Sequence, residues 1–340
     1  MPTPEEIRAA FTLRGVNVTR YSEDVRRRAT GLLETLAGKV YRYLATADLK
    51  GRVKREKAIR TIRGMAVEHY TAAQRIVEES MVELARDESR HFKAVFGRGS
   101  GKQLLKREAQ ALVSKMFIDG VPLEDWLVGQ SMELAQKIGR QIRLHPADGT
   151  AEQLSGKIFG RNTGRAVMTM TPSGKVVRSP VFQGDGLLQT ARRYLNTVSK
   201  SAIHAASQAA LMQAVGRSST VEKLELSVIL DRRTSQICNS RAGAIWMAAS
   251  GDPAPESATS ESFPGPPPYH LNCRSMLIPF SSEVAPEIAF KEWISSLTAP
   301  QQRDILGTGV YNSMNKGTLD LNRVDVGVRP LTLEQLRDSY

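Results

Sequence analysis

Over residues 21–96 the chain has few helix-breaking residues, and its apolar side chains recur at intervals of three and four. Leu32, Leu33, Leu36, Val40, Tyr43 and Leu44 form one run, and Ile59, Ile62, Ala66, Tyr70, Ile76, Met81 and Leu84 form the next. Such spacing stacks apolar groups on one face of a helix and leaves charges such as Arg26, Arg27, Arg28 and Glu34 on the others. This constrains the first part of the chain to long amphipathic helices, interrupted near Lys50-Gly51. Gly97, Gly99 and Gly101 end the second helix, because closely spaced glycines make a helix costly. Further helices are expected over 102–117 and 123–142. Thr150-Ala-Glu-Gln reads as the capping box of a short helix that ends at Gly160.

The pattern then changes. Ala166 to Thr171 and Lys175 to Arg178 flank Pro172-Ser173-Gly174, which predicts a hairpin or extended arm. A basic, alanine- and serine-rich helix is expected over 187–214. Leu-Glu-Leu-Ser-Val-Ile-Leu, 224–230, predicts a buried strand that leads directly into Asp231. Residues 251–268, rich in proline, serine and glycine, predict a loop. Short helices are expected over 288–297 and 299–306, and 319–336 reads as a polar tail. The expected fold class is α+β and predominantly helical: a long-helix N-terminal domain with a small C-terminal α+β module. Along the chain this divides into a helical domain over 1–160, an arm over 161–183, a motif domain over 184–282, and short helices with a tail over 283–340.

Charge points to the partners. Lys and Arg outnumber Asp and Glu by 47 to 35, a net +12. Between Lys157 and Arg217 nine basic residues face a single acid, Asp185. Cationic side chains gain affinity for nucleic acid by releasing the counterions condensed on it. Arg161, Arg165, Lys175, Arg178, Arg192, Arg193 and Lys200 are therefore the candidate contacts to double-stranded DNA. The competing reading is that these charges are a solvated face or are balanced by an acidic protein partner. No apolar run reaches the length of a membrane span, so none is expected. The first residues, Met-Pro-Thr-Pro-Glu-Glu, lack the basic start and apolar run of a secretory signal, which predicts synthesis in the cytoplasm.

The two cysteines of the chain fall in one stretch. Asp231-Arg-Arg-Thr-Ser-Gln-Ile-Cys238 is followed by Pro266-Pro-Pro-Tyr-His270-Leu-Asn-Cys273-Arg274. Cys238, His270 and Cys273 are the soft and borderline donors that zinc prefers, and the two-residue gap from His270 to Cys273 lets both converge from one turn. Asp231 and His204 are the candidates for a fourth ligand. The alternative is that both thiols are small buried side chains and His270 bonds a loop carbonyl. Asp231, Arg233, Thr234 and Arg274 read as a structural clasp, in which a carboxylate accepts turn amides, a hydroxyl caps and arginines bridge. The competing reading makes Asp231, His270 and the two cysteines a metal-dependent nuclease or hydrolase centre. His69, His91 and His145, set among charged helix positions, are expected to be solvated, and His204 is a candidate core residue. Neither a phosphate-cradling glycine loop nor a Gly-x-Ser-x-Gly elbow is present.

The run from Asp231 to Cys238, the Arg241-Ala-Gly-Ala-Ile-Trp246 segment and the Pro-Pro-Tyr-His270-Leu-Asn-Cys273-Arg274-Ser run together resemble the signature of phage head morphogenesis proteins, the minor head proteins of tailed bacteriophages of the phage Mu F type. The preceding alanine-rich helix with Asn196-Thr197, then Phe290-Lys-Glu-Trp293-Ile, Gln302-Arg-Asp-Ile-Leu-Gly307 and Arg329-Pro-Leu-Thr-Leu-Glu-Gln-Leu336, are similar to that family as well, so the likeness covers about 187–336. It implies a low-copy structural component of the virion head, at or near the portal vertex, with portal, capsid or scaffold proteins as partners and packaged DNA close by. Ser235 stands where some members carry a further cysteine, and Ala242 where members often carry an aspartate.

Overall fold

The computed structural model describes residues 2–97, 99–118, 120–146, 149–228, 235–285, 290–316 and 330–338. In chain order the elements are α1 (Pro4–Thr46), α2 (Arg52–Phe96), α3 (Lys106–Val113), β1 (Phe117–Ile118), β2 (Val121–Pro122), α4 (Leu123–Leu144), α5 (Ala151–Phe159), β3 (Arg161–Met170), β4 (Val176–Gln183), α6 (Leu187–Val215), β5 (Lys223–Ser227), α7 (Gln236–Asn239), β6 (Ile245–Met247), β7 (Met276–Phe280), α8 (Phe290–Ser296), α9 (Ala299–Leu306), α10 (Thr308–Asn315) and α11 (Leu333–Arg337). The fold is α+β and predominantly helical, with a long-helix N-terminal region. The break between α1 and α2 includes Lys50-Gly51, and Gly51, immediately before α2, takes a positive φ of 86°. The chain forms two compact units that interleave in sequence: residues 1–24, 80–116 and 200–340 in one, and 25–79 and 117–199 in the other.

In the first unit a three-stranded antiparallel sheet of order β6-β5-β7 is covered by helix. β5 sits in the middle, with Leu224 and Leu226 buried. Pro279 lies opposite Leu224 in β7, an edge position where the missing amide hydrogen costs no ladder bond. Ile7 and Phe11 of α1, Phe92 and Phe96 of α2 and Leu211 and Val215 of α6 pack with Leu224, Trp246, Leu277 and Phe280 in one core. Buried charges are paired within it. Arg8 makes a two-pronged ion pair with Glu225 and also reaches the carbonyl of Ala285. Arg14 bonds Asp87 at 2.9 Å and Glu88 at 3.0 Å, and the Ser207 hydroxyl donates to Glu88 at 2.7 Å. A smaller cluster joins Val16 to Trp293, Ile294, Ile305 and Leu306.

In the second unit α4, α5 and the β3–β4 hairpin pack with parts of α1, α2 and α6. Thr150 caps α5 through the capping box with Gln153. Phe159 and Phe182 stack at 5.0 Å, with Tyr41 edge-on to Phe159 at 5.8 Å. Trp126 stacks on Tyr194 at 4.5 Å. The hairpin seats through Thr169, whose hydroxyl bonds Ser179 at 2.7 Å and accepts from the Thr35 hydroxyl of α1 at 2.8 Å. Gly160, at φ 80°, and Gly186 approach each other so closely that a Cβ on Gly186 would stand 2.3 Å from the Phe159 carbonyl carbon.

Several expectations are corrected. α1 begins at Pro4 rather than near Tyr21. His69, His91 and His145 are buried rather than solvated, at 0%, 2% and 7% exposure. Burial disfavours the charged imidazole and lowers the pKa of His69, and lowers that of His91 to about 3, with Arg14 adding to the latter. The 319–336 tail contains a capped turn of helix, α11, with Leu331 and Leu336 buried.

Candidate functional site: a thiol and imidazole cluster

The end of β5 leads to a stretch, 229–234, outside the described residues, and the candidate clasp residues Asp231, Arg233 and Thr234 lie there. The chain is described again at Ser235, whose hydroxyl caps the single helical turn α7 by accepting the Cys238 amide at 3.2 Å. This turn directs Cys238 into the core, where it is 3% exposed.

From Cys238 the chain makes an excursion through β6 and the proline-rich loop before returning at His270. Trp246 anchors that excursion, fully buried, with its indole N–H donating to the Glu261 carbonyl at 2.8 Å. The loop is bonded closely to β6: Ala254 donates to Ile245 at 2.9 Å and Ile245 donates to the Ser257 hydroxyl at 2.9 Å. Arg241 lies over the Tyr269 ring at 4.8 Å, packing α7's exit against the returning chain.

At the return, Asn272 takes φ 61°, a left-handed conformation that asparagine tolerates better than most residues. The turn this makes is closed by the Cys273 amide donating to the His270 carbonyl at 3.1 Å. His270 and Cys273 therefore converge, as the two-residue gap predicts. α6 holds the turn and the strand that follows it: the Ser201 hydroxyl accepts the Asn272 amide at 3.0 Å, and the Gln208 side-chain carbonyl accepts the Leu277 amide of β7 at 2.9 Å.

Three side chains meet here. Cys238 Sγ stands 3.1 Å from His270 Nε2 and 3.6 Å from Cys273 Sγ. His270 Nδ1 is 2.8 Å from the Leu271 carbonyl oxygen, which can only accept, so the ring proton sits on Nδ1. Nε2 then offers a lone pair to the cluster, and the Ser235 hydroxyl lies 2.8 Å from it. The two cysteines are not joined by a disulfide and both are buried, while His270 is half-buried. Burial pushes both thiols up. At Cys238 hydrogen bonds, those with Ser235 and Ser275 foremost, outweigh burial and leave the thiol below its ordinary value. At Cys273 burial prevails and the thiol is raised. A thiolate is thus favoured at Cys238 over Cys273.

Of the other sequence candidates, His204 is buried on α6 at 7% exposure, with Thr19 Oγ1 3.4 Å from its Nε2, and it is not part of the cluster. Its pKa falls to about 4 because burial, then Lys200 and Arg274, oppose a positive charge there. Arg274 is half-buried. Sequence reasoning missed Ser275, Ser201 and Gln208, and met Ser235 only as a departure from the resemblance. Short polar residues on an alanine-rich helix look like a weakly polar surface, and only the position of the Cys/His turn reveals that two of them serve it.

The seven basic candidates separate. Arg192 pairs with Glu34 at 2.9 Å, Arg193 with Asp185 at 3.1 Å, and Lys200 with Glu23. Arg161, Arg165, Lys175 and Arg178 are exposed on the β3–β4 hairpin and its turn, with no acidic partner among the described residues. Met168 lies opposite Arg178 and Met170 opposite Val176, so these four share one hairpin face. Met168, Met170 and Val176 are 68%, 55% and 55% exposed. Among the described residues no helix is long and apolar enough to cross a membrane.

Comparison of the chain with models of known families, with curated proteins and with solved structures gives no match.

Proposed function

We propose that this chain is a structural component of a tailed-phage head, a minor head protein that assembles at or near the portal vertex with portal, capsid or scaffold proteins. The observation that supports it best is how the groups of the Cys/His motif are used. Ser235, Cys238, His270 and Cys273 bond to one another, the Asn272 amide between the last two donates to Ser201 of α6, and both thiols lie in the core that the sheet shares. Such a cluster stabilises a rigid module, as an assembly part requires. The hairpin's four cations, without an acidic partner among the described residues, supply the surface for non-specific contact with packaged double-stranded DNA.

The enzyme reading has one observation in its favour, the 3.1 Å approach of Cys238 Sγ to His270 Nε2, within reach for a nucleophile and its base. Burial of both thiols at 3% and 1% exposure weighs against it, since a substrate must reach the attacking atom.

The test is quantitative mass spectrometry of precursor and mature particles from cells producing the intact protein. A few copies per particle, retained through gradient purification, is the expected result. Absence from both particle types, or turnover of a nucleic-acid substrate that Cys238→Ser abolishes without loss of folding, overturns the reading.

A further inference from the structure

We propose that Cys238, His270 and Cys273 bind one zinc ion, with an oxygen in the fourth position, and that the ion fastens α7 to the turn before β7. This rests on the cluster alone and stands or falls independently of the head-assembly reading.

The geometry is that of a site close to its loaded dimensions. With zinc–sulfur bonds of about 2.3 Å and zinc–nitrogen bonds of about 2.0 Å at tetrahedral angles, two sulfurs stand about 3.8 Å apart and a sulfur and a nitrogen about 3.5 Å apart. Here the corresponding separations are 3.6 and 3.1 Å, and all three donor atoms lie within 4.8 Å of one another. An ion enters with shifts of a few tenths of an ångström at those two separations, roughly the play of side-chain rotamers.

The chemistry of the donors selects the metal. Two sulfurs and an imidazole suit zinc and disfavour magnesium or calcium, which take oxygen. His270 is already in the required tautomer, its Nδ1 proton held by the Leu271 carbonyl and its Nε2 lone pair free to ligate; metal-bound histidines are commonly oriented this way. Binding forms two zinc–thiolate bonds and one zinc–nitrogen bond and releases the two thiol protons to solvent; nothing is oxidised.

The fourth ligand is the remaining question. His204 is outside the cluster, and Asp231 is outside the described residues. Ser235 is the group in place: its hydroxyl lies 2.8 Å from Nε2, and the Cys238 amide fixes its oxygen. Once Nε2 ligates the ion, that hydroxyl turns to the ion or to a water on it.

The ion's structural effect follows from what it joins. Cys238 and Cys273 are 35 residues apart, and the excursion between them carries β6 and the proline-rich loop. Cross-linking the ends of such a segment limits the freedom of the unfolded chain as well as fixing the native turn.

The experiment uses the full chain without a histidine tag, purified under reducing conditions without chelator. Elemental analysis should give about one zinc per chain. A strong chelator should lower the thermal midpoint by several degrees, and added zinc should restore it. Exchange with cobalt(II) should give the intense visible bands of a tetrahedral site together with sulfur-to-cobalt charge transfer, a readout on the unaltered protein that needs no variant to fold. Ser235→Ala keeps all three ligands and should retain the metal with about tenfold weaker affinity; unchanged affinity removes Ser235 from the site. A metal-free chain whose midpoint ignores chelator and zinc, stoichiometric copper(I) in place of zinc, or a native mass two hydrogens lighter from a Cys238–Cys273 disulfide each overturns the proposal.

Discussion

Asn272 shows how much of the site depends on one backbone angle. Its side chain is exposed, yet its φ of 61° turns the chain so that Cys273 faces Cys238. A left-handed conformation costs an ordinary residue about 1–2 kcal/mol and glycine little. Asn272→Ala should therefore destabilise by about 1 kcal/mol in urea unfolding, while Asn272→Gly stays within a few tenths. Equal midpoints for the two variants would show that the angle is not the determinant. The positions of Cys238, His270 and Cys273 were legible in the sequence because the rare residue types and their spacing carry the signal. Ser235 was legible only as a departure from a resemblance, since its capping of α7 depends on a turn of four residues that periodicity cannot detect.

At the level of elements, the hairpin and α6 divide the basic charge between two roles. Charges on α6 are held by acids, so Arg192→Ala should change stability by at most about 1 kcal/mol and leave DNA affinity unaltered. The hairpin charges have no such partners among the described residues. Replacing Arg161, Arg165, Lys175 and Arg178 by Ala together should flatten the dependence of the logarithm of duplex affinity on the logarithm of salt by up to about 3–4 units, since each phosphate contact contributes about 0.9. A slope identical to that of the unaltered chain would assign the DNA contact elsewhere. The hairpin itself was legible from its turn and alternation, but the register shift between Asn162 and Ala166 was not, because a bulge leaves no mark on that alternation. The first helix was read too short for a related reason. Arg8, Arg14 and Arg20 interrupt the apolar stripe and look solvent-facing, whereas each is buried against an acid, Glu225, Asp87 with Glu88, or Asp304.

For the whole molecule, stability should be sensitive to mild acid. His91 and His204 are held neutral by burial, with pKa values of about 3 and about 4, while in the unfolded chain they return to about 6.5. Below that value the unfolded state binds protons that the native state refuses, so stability is fully present above about pH 6.5 and declines as pH falls towards 4. Each histidine contributes a loss of about 2 kcal/mol at pH 5. Burial raises Glu88 and works in the opposite sense, its contribution declining as pH rises. The difference in urea midpoint between pH 7.5 and pH 5 should shrink in His204→Gln; no change in that difference would show that His204 does not govern it. The core of the sheet-bearing unit has another consequence, for synthesis. Ile7 and Phe11 pack with Leu277 and Phe280, yet a ribosome adding about 5–20 residues per second delivers the later pair roughly a quarter of a minute to a minute after the earlier one. The part of the first helix's apolar face that the sheet covers must stay open for that time, even after Phe92 and Phe96 are made, which makes the nascent chain a natural client for a chaperone.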